Sequence, residues 1–201
     1  ARTMADGAIV GRPDEGELEA IAAGLMAKDI EAVTVLLLHS YIYPDMEQEV
    51  ATGLRARLDG VPVTESANIW PERREFERCL VAIMNAYVQP LMNDYLRLLT
   101  ERINGLGVNA PIYITTSNGG TLSIETAGHR PVDTILSGPA SGVVAASRVA
   151  AMTGERRLIT VDMGGTSCDM AVTQSGEPEY TTLTNVGDFP LILPVVNVSA
   201  I

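Results

Sequence analysis

The sequence predicts an α/β layer fold, and three features predict it. Short β-branched runs alternate with amphipathic helical stretches over residues 14–65, the order that sets helices against a sheet. A long apolar repeat at three and four residues follows, from Phe76 to Leu98, which is helical spacing. Two β-rich runs then flank a Gly-Gly turn within residues 158–173.

The elements follow in order. Residues 1–11 read as a hairpin or edge segment. Residues 14–28 read as a helix: Pro13 precedes them, acids fill the first turn, and Leu18, Ile21, Ala22 and Leu25 share one face. Residues 32–38 are β-branched and Leu-rich, a strand buried on both sides. Residues 44–58 form a second amphipathic helix and 61–65 a short strand. Phe76, Leu80, Ile83, Tyr87, Leu91, Tyr95 and Leu98 mark the longest helix. Pro90 falls inside it, where a kink is expected. Gly105 and Gly107 suit its C-terminus. Residues 72–78 mix Arg and Glu and read as a solvated helix start. Residues 111–116 form a strand, 117–120 a Ser-Asn-Gly-Gly loop, and 132–136 a short strand. The Ala/Gly/Ser/Val-rich residues 139–152 form a helix opened by Ser137-Gly138-Pro139. Residues 158–162 and 168–173 are strands joined by a turn at 163–167.

Composition narrows the function. The 201 residues carry 14 Lys and Arg against 25 Asp and Glu, a net charge of −11. Such acidity argues against nucleic acid or an anionic membrane as a main partner, because both attract basic surfaces. It does not exclude a nucleotide, since backbone N–H groups hold phosphates without net positive charge. The hydrophobic fraction of 46% excludes a disordered chain. No apolar run approaches the ~18 residues of a membrane span. Cys79 and Cys168 stand far apart, form no disulfide framework and fit a reducing cytosol. The chain starts at Ala1 and stops inside an apolar stretch, so it is read as part of a longer protein. No His, Cys and Asp spacing suggests zinc.

The chemistry concentrates in Asp162-Met-Gly164-Gly165-Thr166-Ser167-Cys168-Asp169. Glycines permit positive φ and remove Cβ atoms that would block a ligand. Successive amides in such a turn form an anion nest, and Thr166 or Ser167 adds a hydroxyl donor. Asp162 at the strand end cannot touch phosphate without repulsion. It can hold a hydrated Mg²⁺ or orient a water. By themselves residues 162–166 equally fit an ordinary Gly-Gly hairpin beside an acid. The small-residue helix just upstream, and the absence of Walker and G-x-G-x-x-G loops, favour a nucleotide-phosphate site.

That order resembles the actin-like ATPase superfamily, with its ribonuclease H-like fold. Three runs carry a closer resemblance, to the hydantoinase A/5-oxoprolinase family: Ser117-Asn-Gly-Gly120, Arg130-Pro-Val-Asp-Thr-Ile-Leu-Ser-Gly-Pro-Ala-Ser-Gly-Val-Val144 and Asp162-Met-Gly-Gly-Thr-Ser-Cys-Asp169. Glu75-Phe-Glu-Arg78 and Asn85-Ala-Tyr87 also look like that family. Cys168 stands where the family usually has Thr. The resemblance implies an incomplete actin-like fold, a mixed sheet with flanking helices. Residues 1–152 would be the end of the first lobe with its crossing helix, and 153–201 the start of the second. It implies ATP and Mg²⁺, with Asp162 as the catalytic and metal-holding acid. Gly164, Gly165, Thr166 and Ser167 would be the phosphate cradle, and Asn118 and Gly119 a wall of the same cleft. Gly138 and Gly142 would serve close packing at the lobe interface. The implied activity is ATP-driven opening of a cyclic amide such as a hydantoin or 5-oxoproline, in the cytoplasm, with a B-type subunit or domain. A ketone carboxylase subunit and a nucleotide-switched binding module are the alternatives. No match to the family's first phosphate hairpin is present, so the 201-residue chain alone is expected to be inactive.

Overall fold

The structure is a computed structural model that describes residues 2–165 and 167–200. The chain forms two compact units, residues 1–97 and 98–201.

In the first unit Thr3 bridges antiparallel to Ile9, closing the expected hairpin. Helix α1 (Glu15–Met26) starts on a capping box. Asp14 accepts the Glu17 N–H at 2.7 Å, and Glu17 accepts the Asp14 N–H at 3.2 Å. Strand β1 (Val33–Val35) pairs in parallel with β2 (Val63–Glu65), and α2 (Asp45–Arg55) is the crossover between them. Leu18, Ala22, Val33, Val35, Ala51, Leu54, Leu58 and Val63 fill the core of this βαβ unit. Strand β1 is shorter than the apolar run predicts. The Leu37 N–H leaves the ladder and donates to the Glu47 carboxylate at 2.8 Å.

A single turn α3 (Ser66–Ile69) leads to α4 (Glu75–Gly105), which continues through Pro90. One expectation is corrected here. Arg78 is not on a solvated helix start; it is fully buried. The apolar repeat that reveals the helix lies on its outer side. Phe76, Ile83, Tyr87, Leu91, Tyr95 and Leu98 are exposed, while Arg78, Val81, Ala82, Asn85, Ala86 and Gln89 point inward. The reason is the wall that α4 meets. The buried Glu47 carboxylate and Ser66 hydroxyl need hydrogen-bonded company, and a buried charge is tolerated only when satisfied. Arg78 Nε donates to Ser66 Oγ at 2.9 Å, which donates to Glu47 at 2.8 Å. The Arg78 Nη atoms donate to the carbonyls of Glu72 and Leu37 at 3.0 and 2.9 Å.

In the second unit β3 (Tyr113–Thr115) and β4 (Thr121–Ser123) pair antiparallel around the Ser-Asn-Gly-Gly loop. Ser123 caps the short α5 (Ile124–His129). The strand expected at 132–136 is instead a 3₁₀ turn, Pro131–Thr134. Pro131 has no N–H for a ladder. The Thr134 hydroxyl donates to the Pro131 carbonyl at 2.7 Å, and Arg130 pairs with Asp133 at 2.8 Å, so the segment coils.

Helix α6 (Ser137–Thr153) ends at Gly154 in the left-handed conformation, φ 79°. Strands β5 (Leu158–Met163) and β6 (Cys168–Gln174) form an antiparallel hairpin. β7 (Glu177–Pro178) and β10 (Ser199–Ala200) join β6, while β8 (Tyr180–Val186) and β9 (Phe189–Val196) pair with each other. The apolar stretch after residue 190 thus becomes a strand with Leu191, Leu193, Val195 and Val196 buried. The sheets are small and separate. Ala140 and Val143 of α6 pack on Ala171 and Val196, which fixes α6 against the β5–β6 hairpin.

Candidate functional site

The chain doubles back after Asp162 as expected. The last ladder pair is Met163 with Cys168, and residues 164–167 make the connection. The Gly164 N–H donates to the Ser167 carbonyl at 2.9 Å, so this amide is committed to closing the turn. The glycines have a different basis from the one expected. Neither Gly164 nor Gly165 has positive φ, and no side chain crowds either. Both are exposed, with open space beside Gly165. What they provide is an uncovered backbone that a ligand can approach. Ser167 is exposed beside them. Thr166 lies outside the described residues.

Below the turn the hairpin presents a feature not assigned from sequence. Asp162 pairs directly with Asp169, and Thr160 pairs with Ala171. Alternate residues of a strand share a face. Ala171 is buried beneath α6, so the two carboxylates lie on the α6 side. Both line one cavity of about 370 Å³ with Pro139, Gly142 and Thr160. Gly138 and Gly142 have open space where a Cβ would stand, and Gly142 borders this cavity. The first turn of α6 also borders it through Pro139, and a helix N-terminus favours anions.

The Ser-Asn-Gly-Gly loop is placed elsewhere. Gly119 lines a separate cavity of about 170 Å³ with Val144, Ser147 and Arg148. Val143 and Ala146 border the cavity of Asp162, so α6 separates the two. Asn118 is exposed, and its Oδ1 accepts the Thr116 hydroxyl at 2.6 Å and the Gly120 N–H at 3.0 Å. Its side-chain oxygen thus shapes its own turn. Gly119 is held at φ 80°, with a Cβ position only 2.5 Å from Val144 Cγ2. Ser117 is the anchor of this loop. It is buried, its N–H donates to the Asp133 carbonyl at 2.7 Å, and its carbonyl accepts the Val196 N–H at 2.8 Å. Its Oγ accepts the Leu136 N–H at the start of α6, at 3.0 Å. The loop therefore orients α6, whose other side faces Asp162.

The donor set suits a hard divalent cation. Two carboxylates stand opposite one another, and neither joins an ion pair among the described residues. Like charges directly opposite across a ladder repel. No described group of three or more His, Cys, Asp or Glu could hold a metal. A cation here would have to complete its shell with water or ligand oxygens, which is the habit of Mg²⁺. Sequence reasoning missed Asp169, although the strand spacing across a short turn contained the signal. No described helix is long and apolar enough to cross a membrane.

Comparison with known proteins identifies the family of the chain. The hydantoinase/oxoprolinase family matches residues 78–201, and the N-terminal region of hydantoinase/oxoprolinase matches residues 1–58. The chain is 30% identical over 200 residues to caprolactamase subunit alpha of Pseudomonas jessenii, covering 100% of the chain and 29% of that protein. It is 31% identical to 5-oxoprolinase 1 of Arabidopsis thaliana, over 96% of the chain and 15% of that protein. Its structure superimposes on the crystal structure of the ATP-dependent caprolactamase with a TM-score of 0.86 at 30% identity, over 99% of the chain and 29% of the other. Nucleotide-free acetone carboxylase matches with a TM-score of 0.86 at 27% identity, over 100% of the chain and 28% of the other. The fold is accordingly the α/β fold of these actin-like ATPases. The chain spans less than a third of the length of each of these relatives.

Proposed function

Since this chain belongs to the hydantoinase/oxoprolinase family, we propose that it forms part of a cytoplasmic, ATP-dependent cyclic amide hydrolase. Relatives named as 5-oxoprolinase and as caprolactamase support that reading. The observation that carries it is the pair Asp162 and Asp169 at the head of one cavity, beside an open glycine turn and the first turn of α6. Residues 153–201 begin the second lobe in this reading, and α6 is the crossing helix.

An amide is resonance-stabilised and a poor electrophile. Phosphorylation of its carbonyl oxygen from ATP would make the carbon open to attack by water. The task of this chain is to position the phosphates and to neutralise charge. Asp162 and Asp169 would hold the hydrated Mg²⁺, which supplies charge neutralisation at the phosphate oxygens. Gly165 and Ser167 would receive the phosphates on backbone and hydroxyl donors, with Gly164 holding the turn and Thr166 adding its hydroxyl. Asn118 and Gly119 act from across α6, as the loop that orients that helix rather than as direct contacts.

A second reading has its own support. Carboxylase subunits match as well, including the acetone carboxylase beta subunit of Xanthobacter autotrophicus at 28% identity over 90% of the chain. A ketone in place of a lactam would use the same phosphate apparatus. Several relatives are named as subunits, so a B-type partner subunit belongs to the proposal. The test is ATP turnover by the complete polypeptide with its partner, supplied in turn with hydantoin, 5-oxoproline, caprolactam and acetone. Stimulation by a lactam or imide supports the hydrolase, and stimulation by acetone with bicarbonate supports the carboxylase. Turnover that ignores all four would point to a nucleotide-switched binding module.

A further inference from the structure

We infer that Ser117 is a positioning residue for the phosphate site: its buried hydroxyl sets where the first turn of α6 stands beside Asp162 and Asp169. The inference rests on the reading of their cavity as the site of Mg²⁺ and nucleotide. That cavity has two walls. Strand β5 and Asp169 form one, and Pro139, Gly142, Val143 and Ala146 of α6 form the other. Its width therefore follows the position of α6. Little on the helix itself fixes that position. Leu136 at its start makes no side-chain capping bond. Ala140 and Val143 make the buried contact with Ala171 and Val196, and small side chains form shallow ridges.

Ser117 supplies the missing tether. It is buried, so its hydrogen bonds form in a low dielectric, where they are stronger than in water. Its N–H and Oγ grip the segment leading into α6 at two points, the Asp133 carbonyl at 2.7 Å and the Leu136 N–H at 3.0 Å. Its carbonyl accepts the Val196 N–H at 2.8 Å, and α6 packs on Val196. One buried residue thus ties the start of the helix to the strand on which it rests. Backbone atoms make two of these bonds. The bond to Leu136 belongs to the side chain, and substitution can remove it alone. Without it the start of α6 is free to shift, and a misplacement of about 1 Å is enough to weaken a site from a distance. Ser117 lines neither cavity, so it acts through the helix.

Equilibrium titration of the complete polypeptide with a fluorescent ATP analogue and Mg²⁺ tests the inference, read as a Kd and a bound stoichiometry. Ser117→Ala should raise Kd roughly two- to tenfold, the contribution of one hydrogen bond, at unchanged stoichiometry. Simple loss of folded protein would lower the stoichiometry and leave Kd alone. Ser117→Cys keeps the shape of the side chain with a weaker acceptor and should raise Kd less than Ser117→Ala does. Ser141→Ala removes a hydroxyl that bonds within α6, to the Ser137 carbonyl at 2.7 Å, and should leave Kd unchanged. An unchanged Kd in Ser117→Ala, a fall in stoichiometry alone, or an equal rise in Ser141→Ala overturns the inference. Asp162→Asn separates it from the reading beneath it. Wild-type binding by Asp162→Asn refutes the cavity as the nucleotide site, and the role of Ser117 with it. Weakened binding by Asp162→Asn beside wild-type binding by Ser117→Ala refutes the role of Ser117 alone.

Discussion

Asp162 and Asp169 are directly opposed in the β5–β6 ladder, and their carboxylates border the same cavity beneath α6. Such a pair is a local liability without a cation, costing roughly 0.2–1 kcal/mol. Asp169→Asn should therefore raise the melting temperature in EDTA while weakening Mg²⁺-dependent binding of a fluorescent ATP analogue to the complete polypeptide. Asp162→Asn should behave alike. A variant that lowers the melting temperature in EDTA, or binds Mg²⁺-nucleotide as wild type does, contradicts the shared role.

Gly119 carries a double constraint, left-handed backbone and a Cβ position 2.5 Å from Val144. Gly119→Ala should destabilise the chain by about 1–2 kcal/mol through the backbone alone, with a steric cost added. Gly119→Ala combined with Val144→Ala should recover only the steric part. Chemical denaturation of the four proteins in the cycle measures both; full recovery in the double variant would show that the backbone contributes nothing.

Arg78 serves three acceptors at once, and its guanidinium also lies 5.9 Å from the centre of the Tyr41 ring. Arg78→Leu should cost about 1–3 kcal/mol for each buried acceptor left without its donor, the Ser66 hydroxyl that bridges to Glu47 and the Glu72 and Leu37 carbonyls. Arg78→Lys should rescue little, since one ammonium cannot reproduce a planar fork. Denaturation midpoints would separate these outcomes; near wild-type stability for the Lys variant would mean that charge alone matters.

Glu125 sits in the first turn of α5. Its own backbone N–H, and then the Ser123 hydroxyl, hold its carboxyl below the ordinary value, against a small opposing effect of burial. A depressed folded pKa adds stability that is fully present above the unfolded value and is lost as pH falls through the folded one. Ser123→Ala should move the Glu125 titration upward, as followed by carboxyl chemical shifts in NMR. An unmoved titration would remove Ser123 as a cause.

Much of this was legible in the chain itself. The acidic first turn after Pro13, the β5–β6 hairpin and the helix over residues 139–152 are local patterns, set by neighbours within a few positions. The Gly-Gly turn and its flanking acid marked the candidate site for the same reason. The segment at 132–136 misled because β-branched residues suggest a strand, whereas Pro131 and the Arg130–Asp133 pair coil it.

Sequence alone determined the helices over residues 14–28, 44–58, 76–98 and 139–152, the hairpin at 158–173, and the turn on which the functional reading rests. Tertiary structure decided which face of α4 turns inward, that Asp169 stands against Asp162, and that Ser117 ties its loop to the start of α6. Periodicity says that a helix has an apolar side but not what wall it will meet. Here the wall holds Glu47 and Ser66, so the satisfaction of a buried carboxylate outweighed the burial of Tyr87 and Leu91.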